Sequence, residues 1–112
     1  NALAATTVGL EFGLDFEQIQ RGLADVTLPK RRFERIAEKN GVTVISDYAH
    51  HPSEIRALID AAKQAGASRI WAVFQPHRYT RTLALGAEFP PAFEGVAGVI
   101  LAPVYAASEP PL

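Results

Sequence analysis

The chain has 112 residues, 48% of them hydrophobic and 21% charged, with a net charge of -1 and no cysteine. That suffices for one ordinary domain, or a small domain with part of another, and gives no charge excess that would suit a general nucleic-acid or membrane-surface partner. Disulfides and thiolate metal sites are excluded, the longest apolar run (residues 96–107, containing Pro103) falls short of the roughly 20 residues of a membrane span, and no signal peptide is visible, so the reading is a cytoplasmic protein.

Residues 1–12 are rich in alanine, with Leu3, Ala4, Val8 and Leu10 or Phe12 at helical spacing and Gly13 as a C-terminal stop. Asp15 suits the N-cap of a second helix, with Phe16, Ile19, Leu23 and Val26 on one face, and Leu28-Pro29 ends it. This helical hairpin is too small to form a core of its own. The chain starts inside what reads as a helix and stops at Pro110-Pro111-Leu112, so a fragment of a longer protein is expected.

After Lys30-Arg31-Arg32 the period changes. Phe33 to Glu38 alternates loosely, Asn40-Gly41 is a strong hairpin signal, and Val42 to Ser46 returns as the second strand. A helix opening at Pro52 places Ile55, Leu58, Ile59 and Ala62 on one face and ends at Gly66. Ile70 to Phe74 is a continuous apolar run, expected to be a central parallel strand buried on both faces. A helix is expected over Leu83 to Phe93, broken or ended early by Pro90-Pro91, and then a strand over Val99 to Leu101. Hairpin, helix, strand, helix, strand implies an α/β layered sheet with right-handed crossovers. Its strands end in three polar loops, residues 47–51, 75–81 and 105–109, which a parallel sheet would bring to one edge, where open α/β sheets hold ligands.

The residues on those loops have plain and functional readings. His50 and His51 are adjacent, which disfavours a shared metal ion, and no thiolate or close acidic cluster completes a site. With Asp47 and Tyr48 beside it, His50 reads as a ligand contact. Asp47 is either the N-cap of the helix near Pro52, a role Ser53 could fill, or an acceptor for ribose hydroxyls. Arg78 and Arg81 are either solvated charges or a bidentate clamp for a carboxylate or phosphate. Lys30, Arg31 and Arg32 form either a charged linker or a phosphate contact at a hinge. Tyr79 and Tyr105 could be packing aromatics. No glycine-rich phosphate loop is present, so phosphates would be held mainly from outside this chain.

Three strings together, Asp47-Tyr48-Ala49-His50-His51-Pro52, Phe74-Gln75-Pro76-His77-Arg78-Tyr79-Thr80-Arg81 and Val104-Tyr105-Ala106-Ala107, closely resemble the Mur ligases, the ATP-dependent amino-acid ligases of peptidoglycan synthesis. The loop ending at Arg81 is similar to the branch that adds L-alanine to UDP-N-acetylmuramate. A tripeptide-recycling branch shares the histidine motif and the basic junction, and a non-catalytic nucleotide- or amino-acid-binding module is a rival of another class. The resemblance implies that residues 1–28 are the last helices of a central ATPase domain. Residues 29–112 would be the larger part of a Rossmann-like C-terminal domain, a mostly parallel sheet with an N-terminal antiparallel hairpin. It further implies that Asn1 contacts adenine, Arg32 the nucleotide phosphates and Asp47 the ribose. Tyr48 and His50 would line the amino-acid site, while His77, Arg78 and Arg81 would hold the alanine carboxylate and the phosphoryl region. His50, Arg78 and Arg81 are the expected catalytic contacts. ATP and Mg2+ would be needed, with the metal ligands mostly in the central domain, and this piece alone is not expected to ligate. The last loop departs from the family pattern at Pro103, where an acid is expected, and at Ser108, where a glycine is expected.

Overall fold

The computed structural model describes residues 1–27 and 29–110. The expected helix stop at Leu28-Pro29 falls partly on Leu28, which lies outside the described residues, as do Pro111 and Leu112. The chain forms two compact units, Asn1–Arg32 and Phe33–Leu112.

The first unit is the helical hairpin α1 (Ala2–Glu11) and α2 (Phe16–Ala24). Asp15 caps α2 through a reciprocal box: its carboxylate accepts the Gln18 N–H at 2.7 Å, and the Gln18 side chain accepts the Asp15 N–H at 2.9 Å. Gly9 and Ile19 are the buried residues of the pair. A Cβ at Gly9 would come within 2.9 Å of the Ile19 side chain, so only glycine lets the helices approach this closely. Leu3, Phe12 and Phe16 remain exposed, consistent with a hairpin that builds no core alone.

The second unit opens with β1 (Glu34–Lys39) and β2 (Val42–Ser46), an antiparallel hairpin whose last pair is Lys39 with Val42. Asn40 and Gly41 both take positive φ, 51° and 75°, as a two-residue type I′ turn requires. A register shift between Arg35 and Ala37 marks a bulge at Ile36. Then follow α3 (Pro52–Gln64), β3 (Trp71–Phe74), α4 (Tyr79–Ala84), a 3₁₀ turn (Gly86–Glu88), α5 (Phe89–Ala92) and β4 (Gly98–Leu101). β3 and β4 are parallel, Trp71 opposite Gly98 and Phe74 opposite Leu101. The expected combination of helical hairpin, antiparallel hairpin and parallel α/β pairing is present.

The core lies where α3 and α5 cover one face of β3. Ile55, Ile59, Phe74 and Ala92 are buried together, with Ala49, Ile70, Phe89, Phe93, Val96 and Val99 packed around them. The Phe74 ring centroid stands 5.3 Å from Phe89 and 5.4 Å from Phe93, the spacing of favourable tilted aromatic pairs.

Three expectations are corrected. β3 is not buried on both faces: Trp71 and Val73 are 56% and 75% exposed, because both helices that pack on this strand lie on the side of Phe74. Among the described residues the strands form two separate two-stranded sheets rather than one layer, since β2 bonds only to β1 and β3 only to β4. The helix expected over Leu83 to Phe93 is three short pieces. Pro90 and Pro91 start α5 rather than ending a longer helix, because the first helical turn needs no intrahelical N–H from them. Among the described residues no helix is long and apolar enough to cross a membrane.

Candidate amino-acid and anion site

The parallel pairing of β3 and β4 continues into the loops beyond them. Ala102 N–H donates to Phe74 O at 2.9 Å and the Gln75 side-chain amide to Pro103 O at 3.2 Å. Tyr105 N–H donates to Pro76 O and Arg78 N–H to Tyr105 O, both at 2.8 Å. His77 and Tyr105 thereby pair as an isolated parallel bridge. The two loops therefore leave the sheet side by side, with their backbones held by strand-like pairing.

The loop after β2 joins them through its aromatic rings. Tyr48 packs edge-on against His50 at 5.1 Å between centroids, His50 lies 6.1 Å from His77, and His77 lies 5.4 Å from Tyr105. One row of rings thus crosses all three polar loops, and Arg78 and Arg81 flank it. This is the convergence the strand order implied, reached by ring contacts.

The partners of the two histidines fix their tautomers. His50 Nδ1 lies 2.9 Å from Tyr48 O. A carbonyl only accepts, so Nδ1 carries the proton and Nε2 of the neutral ring presents a lone pair. His77 Nδ1 lies 3.5 Å from Arg81 Nη1. A guanidinium only donates, so here Nδ1 accepts and Nε2 carries the proton. Desolvation lowers the His77 pKa below its ordinary 6.5, and repulsion from Arg81, Arg78 and His50 adds to this. His77 is therefore neutral at physiological pH.

Arg78 sits at φ 73° and ψ 135°, an unusual backbone conformation for any residue with a Cβ. It is held on both sides. Its N–H is fixed to Tyr105, and its carbonyl accepts the Thr82 N–H at 3.1 Å and the Thr82 hydroxyl at 2.7 Å. Backbone strain held by several bonds is characteristic of functional loops.

Asp47 caps no helix. Its Oδ2 accepts the Phe33 N–H and its Oδ1 the Ala49 N–H, both at 2.7 Å. The N-cap of α3 is His51, whose Nδ1 accepts the Ser53 N–H at 3.4 Å and lies 2.9 Å from the Ser53 hydroxyl. Glu54 completes the box by accepting the N–H groups of His50 and His51 at 3.0 and 3.1 Å. His51 is thereby a helix cap. Among the described residues no group of three or more histidine, aspartate or glutamate side chains stands together to hold a metal ion.

Asn1 and Arg32 belong to the first unit. Asn1 precedes α1, makes no side-chain capping bond, and accepts the Ala5 N–H at 2.9 Å through its carbonyl. Arg32 is exposed at the end of that unit.

Sequence reasoning missed two carboxylates. Glu54 was findable, because an acid three residues after a cap is a capping-box signal. Glu109 had no local signal. Its Oε1 accepts the Thr80 hydroxyl at 2.6 Å and its Oε2 the Thr80 N–H at 3.1 Å, across 29 residues, and Arg78 Nη1 lies 3.8 Å away.

The fold and this loop cluster define an α/β domain with a polar, basic candidate site where its three loops meet. Residues 31–111 match the family model described as "Mur ligase, glutamate ligase domain", and the chain belongs to that family. Among characterised proteins it is similar to the UDP-N-acetylmuramate–L-alanine ligases. It is 52% identical to the one from Pelotomaculum thermopropionicum and 49% identical to the one from Desulforamulus reducens, in each case over all of this chain and 24% of the relative. The crystal structure of UDP-N-acetylmuramate-alanine ligase from Thermotoga maritima superposes with a TM-score of 0.77 at 31% identity, covering 93% of this chain and 23% of that one. The chain thus spans about a quarter of the length of the relatives it matches.

Proposed function

We propose that this chain forms the amino-acid side of an ATP-dependent ligase that joins L-alanine to UDP-N-acetylmuramate, a cytoplasmic step of peptidoglycan synthesis. The observation that carries the reading is the row Tyr48, His50, His77, Tyr105 with Arg78 and Arg81 beside it. Together they present a lone pair, a neutral N–H and two guanidinium groups. That set matches a small amino acid, whose amine donates hydrogen bonds and whose carboxylate accepts them.

In the proposed reaction the UDP-sugar carboxylate takes the terminal phosphoryl group of ATP, giving an acyl phosphate and ADP. The amine of L-alanine attacks the acyl carbon, phosphate leaves, and the amide remains. His50 is on the amine side, where the Nε2 lone pair accepts an amine proton. His77, Arg78 and Arg81 hold the carboxylate and stabilise charge that develops on the phosphoryl oxygens. Tyr48 walls the pocket. Holding the amine against the acyl carbon converts a bimolecular step into an oriented one.

Asp47 fits a nucleotide as well as its structural bonds. Each oxygen accepts one backbone N–H and keeps a further acceptor position for a ribose hydroxyl. Asn1 and Arg32 are proposed for adenine and phosphate. Mg2+ finds no ready donor set among the described residues, so no step here is assigned to it.

The test is ligation by the full-length protein containing this chain. With ATP, Mg2+, UDP-N-acetylmuramate and L-alanine, the expected product is UDP-N-acetylmuramoyl-L-alanine. Turnover with a tripeptide but not with free L-alanine would instead assign the recycling activity, and turnover with neither would leave a binding module.

A further inference from the structure

We propose that Glu109 is a positioning residue for the carboxylate clamp: it anchors the loop after β4 to the first turn of α4 and holds the Arg78 guanidinium toward the amino-acid site. The proposal rests on the reading above.

Glu109 is the far end of the chain of contacts that joins the two loops. The strand-like bonds stop at Arg78 N–H to Tyr105 O. Beyond them the chain must turn back toward α4, and it does so through Ala107 and Ser108, both at positive φ, 49° and 70°. Two consecutive residues with a Cβ in that region are uncommon, so the turn is held by what it delivers. It delivers Glu109, whose two oxygens engage one residue, Thr80, through both its hydroxyl and its N–H. The same carboxylate faces Arg78, and its side chain is only 17% exposed.

These contacts have a chemical consequence. Arg78 is half-exposed on a strained backbone, and a free side chain there would sample many rotamers. A carboxylate on one side restricts the guanidinium while leaving other N–H donors for a ligand, since the fork carries five. The Thr80 bonds keep the Glu109 carboxyl below its ordinary range, so it stays ionised near neutral pH.

Kinetics of the full-length enzyme, with L-alanine, ATP and UDP-N-acetylmuramate, test this. Glu109→Gln keeps the shape but loses the charge and faces an N–H₂ toward groups that donate. The expected result is a roughly 10-fold rise in KM for L-alanine with kcat changed less than about 3-fold. Thr80→Val removes the hydroxyl that donates to Glu109 and keeps the N–H, and should raise the same KM by roughly 3-fold, and by less in the Glu109→Gln background, because the two residues act as a pair. If Glu109→Gln does not fold, Thr80→Val carries the test alone. An unchanged KM in either folded variant, or a fall in kcat alone, overturns the proposal, since a purely structural role lowers the active fraction without altering alanine affinity. A wild-type enzyme that does not ligate L-alanine removes the underlying reading instead.

Discussion

The Asp47 carboxylate joins the two ends of the β1–β2 hairpin: its Oδ2 accepts the Phe33 N–H at 2.7 Å, and its Oδ1 the Ala49 N–H at the same distance. Phe33 is itself held at φ 47°, so this bond fixes the entry into β1 at a left-handed residue. Asp47→Asn leaves only one accepting oxygen and turns an N–H₂ toward the other donor. A loss of about 1–3 kcal/mol in unfolding free energy is expected, measured by denaturant titration. Wild-type stability in that variant would show that these short bonds do not hold the hairpin.

Arg78 separates backbone from side chain. Glycine adopts its φ of 73° without a Cβ penalty, whereas alanine does not. Arg78→Gly should therefore be more stable than Arg78→Ala by about 1 kcal/mol, within the range set for strained residues. Both should weaken alanine binding equally in the full-length enzyme. Equal unfolding midpoints for the pair would mean the conformation is not strained.

The lowered pKa of His77 fixes the sign of its pH effect. Between 6.5 and the lower folded value the unfolded chain binds more protons, so stability falls as pH drops through that window and levels off beneath it. Desolvation is the first cause and Arg81 the second, so Arg81→Gln should raise the His77 pKa part of the way toward 6.5. An imidazole NMR titration measures this directly, and an unmoved pKa would exclude Arg81 as a cause. The same substitution should raise KM for L-alanine in the full-length enzyme by about 10-fold.

Glu109 shifts stability in the same direction with pH, but at lower pH and because the fold favours its charged form rather than disfavouring it. Its folded pKa lies below 4.5, so its contribution is complete above that pH and is lost as pH falls through the folded value. Glu109→Gln should flatten the acid limb of the stability profile. An identical acid limb in the variant would show that the Thr80 bonds do not depend on ionisation.

The adjacent histidines should divide cleanly. His51→Ala removes a helix cap and should cost about 1 kcal/mol of stability with little change in alanine KM, while His50→Ala should do the reverse. A large KM change in a folded His51→Ala variant would place that ring in the site after all.

The elements were legible wherever a local rule decides them. Asn40-Gly41 announced its hairpin because few other pairs accept two positive φ angles, and Asp15 announced α2 because a short acid satisfies helical N–H groups. The spacing of Ile55 and Ile59 gave the buried face of α3. What failed depended on neighbours. Trp71 and Val73 are apolar in a buried-looking run, yet burial is decided by which face the helices cover. Pro90 and Pro91 have the same composition whether they stop a helix or start one.

The site divides along the same line. By itself the sequence determined three polar loops at strand ends and the residue types on them, because strand and turn chemistry acts over a few residues. It could not say that His50 and His51 part company, that each site histidine has its own tautomer, or that Glu109 reaches Thr80 across 29 residues. Those are settled only when the β3–β4 pairing lays two loops side by side, since a hydrogen bond between residues remote in sequence depends on where the sheet delivers them.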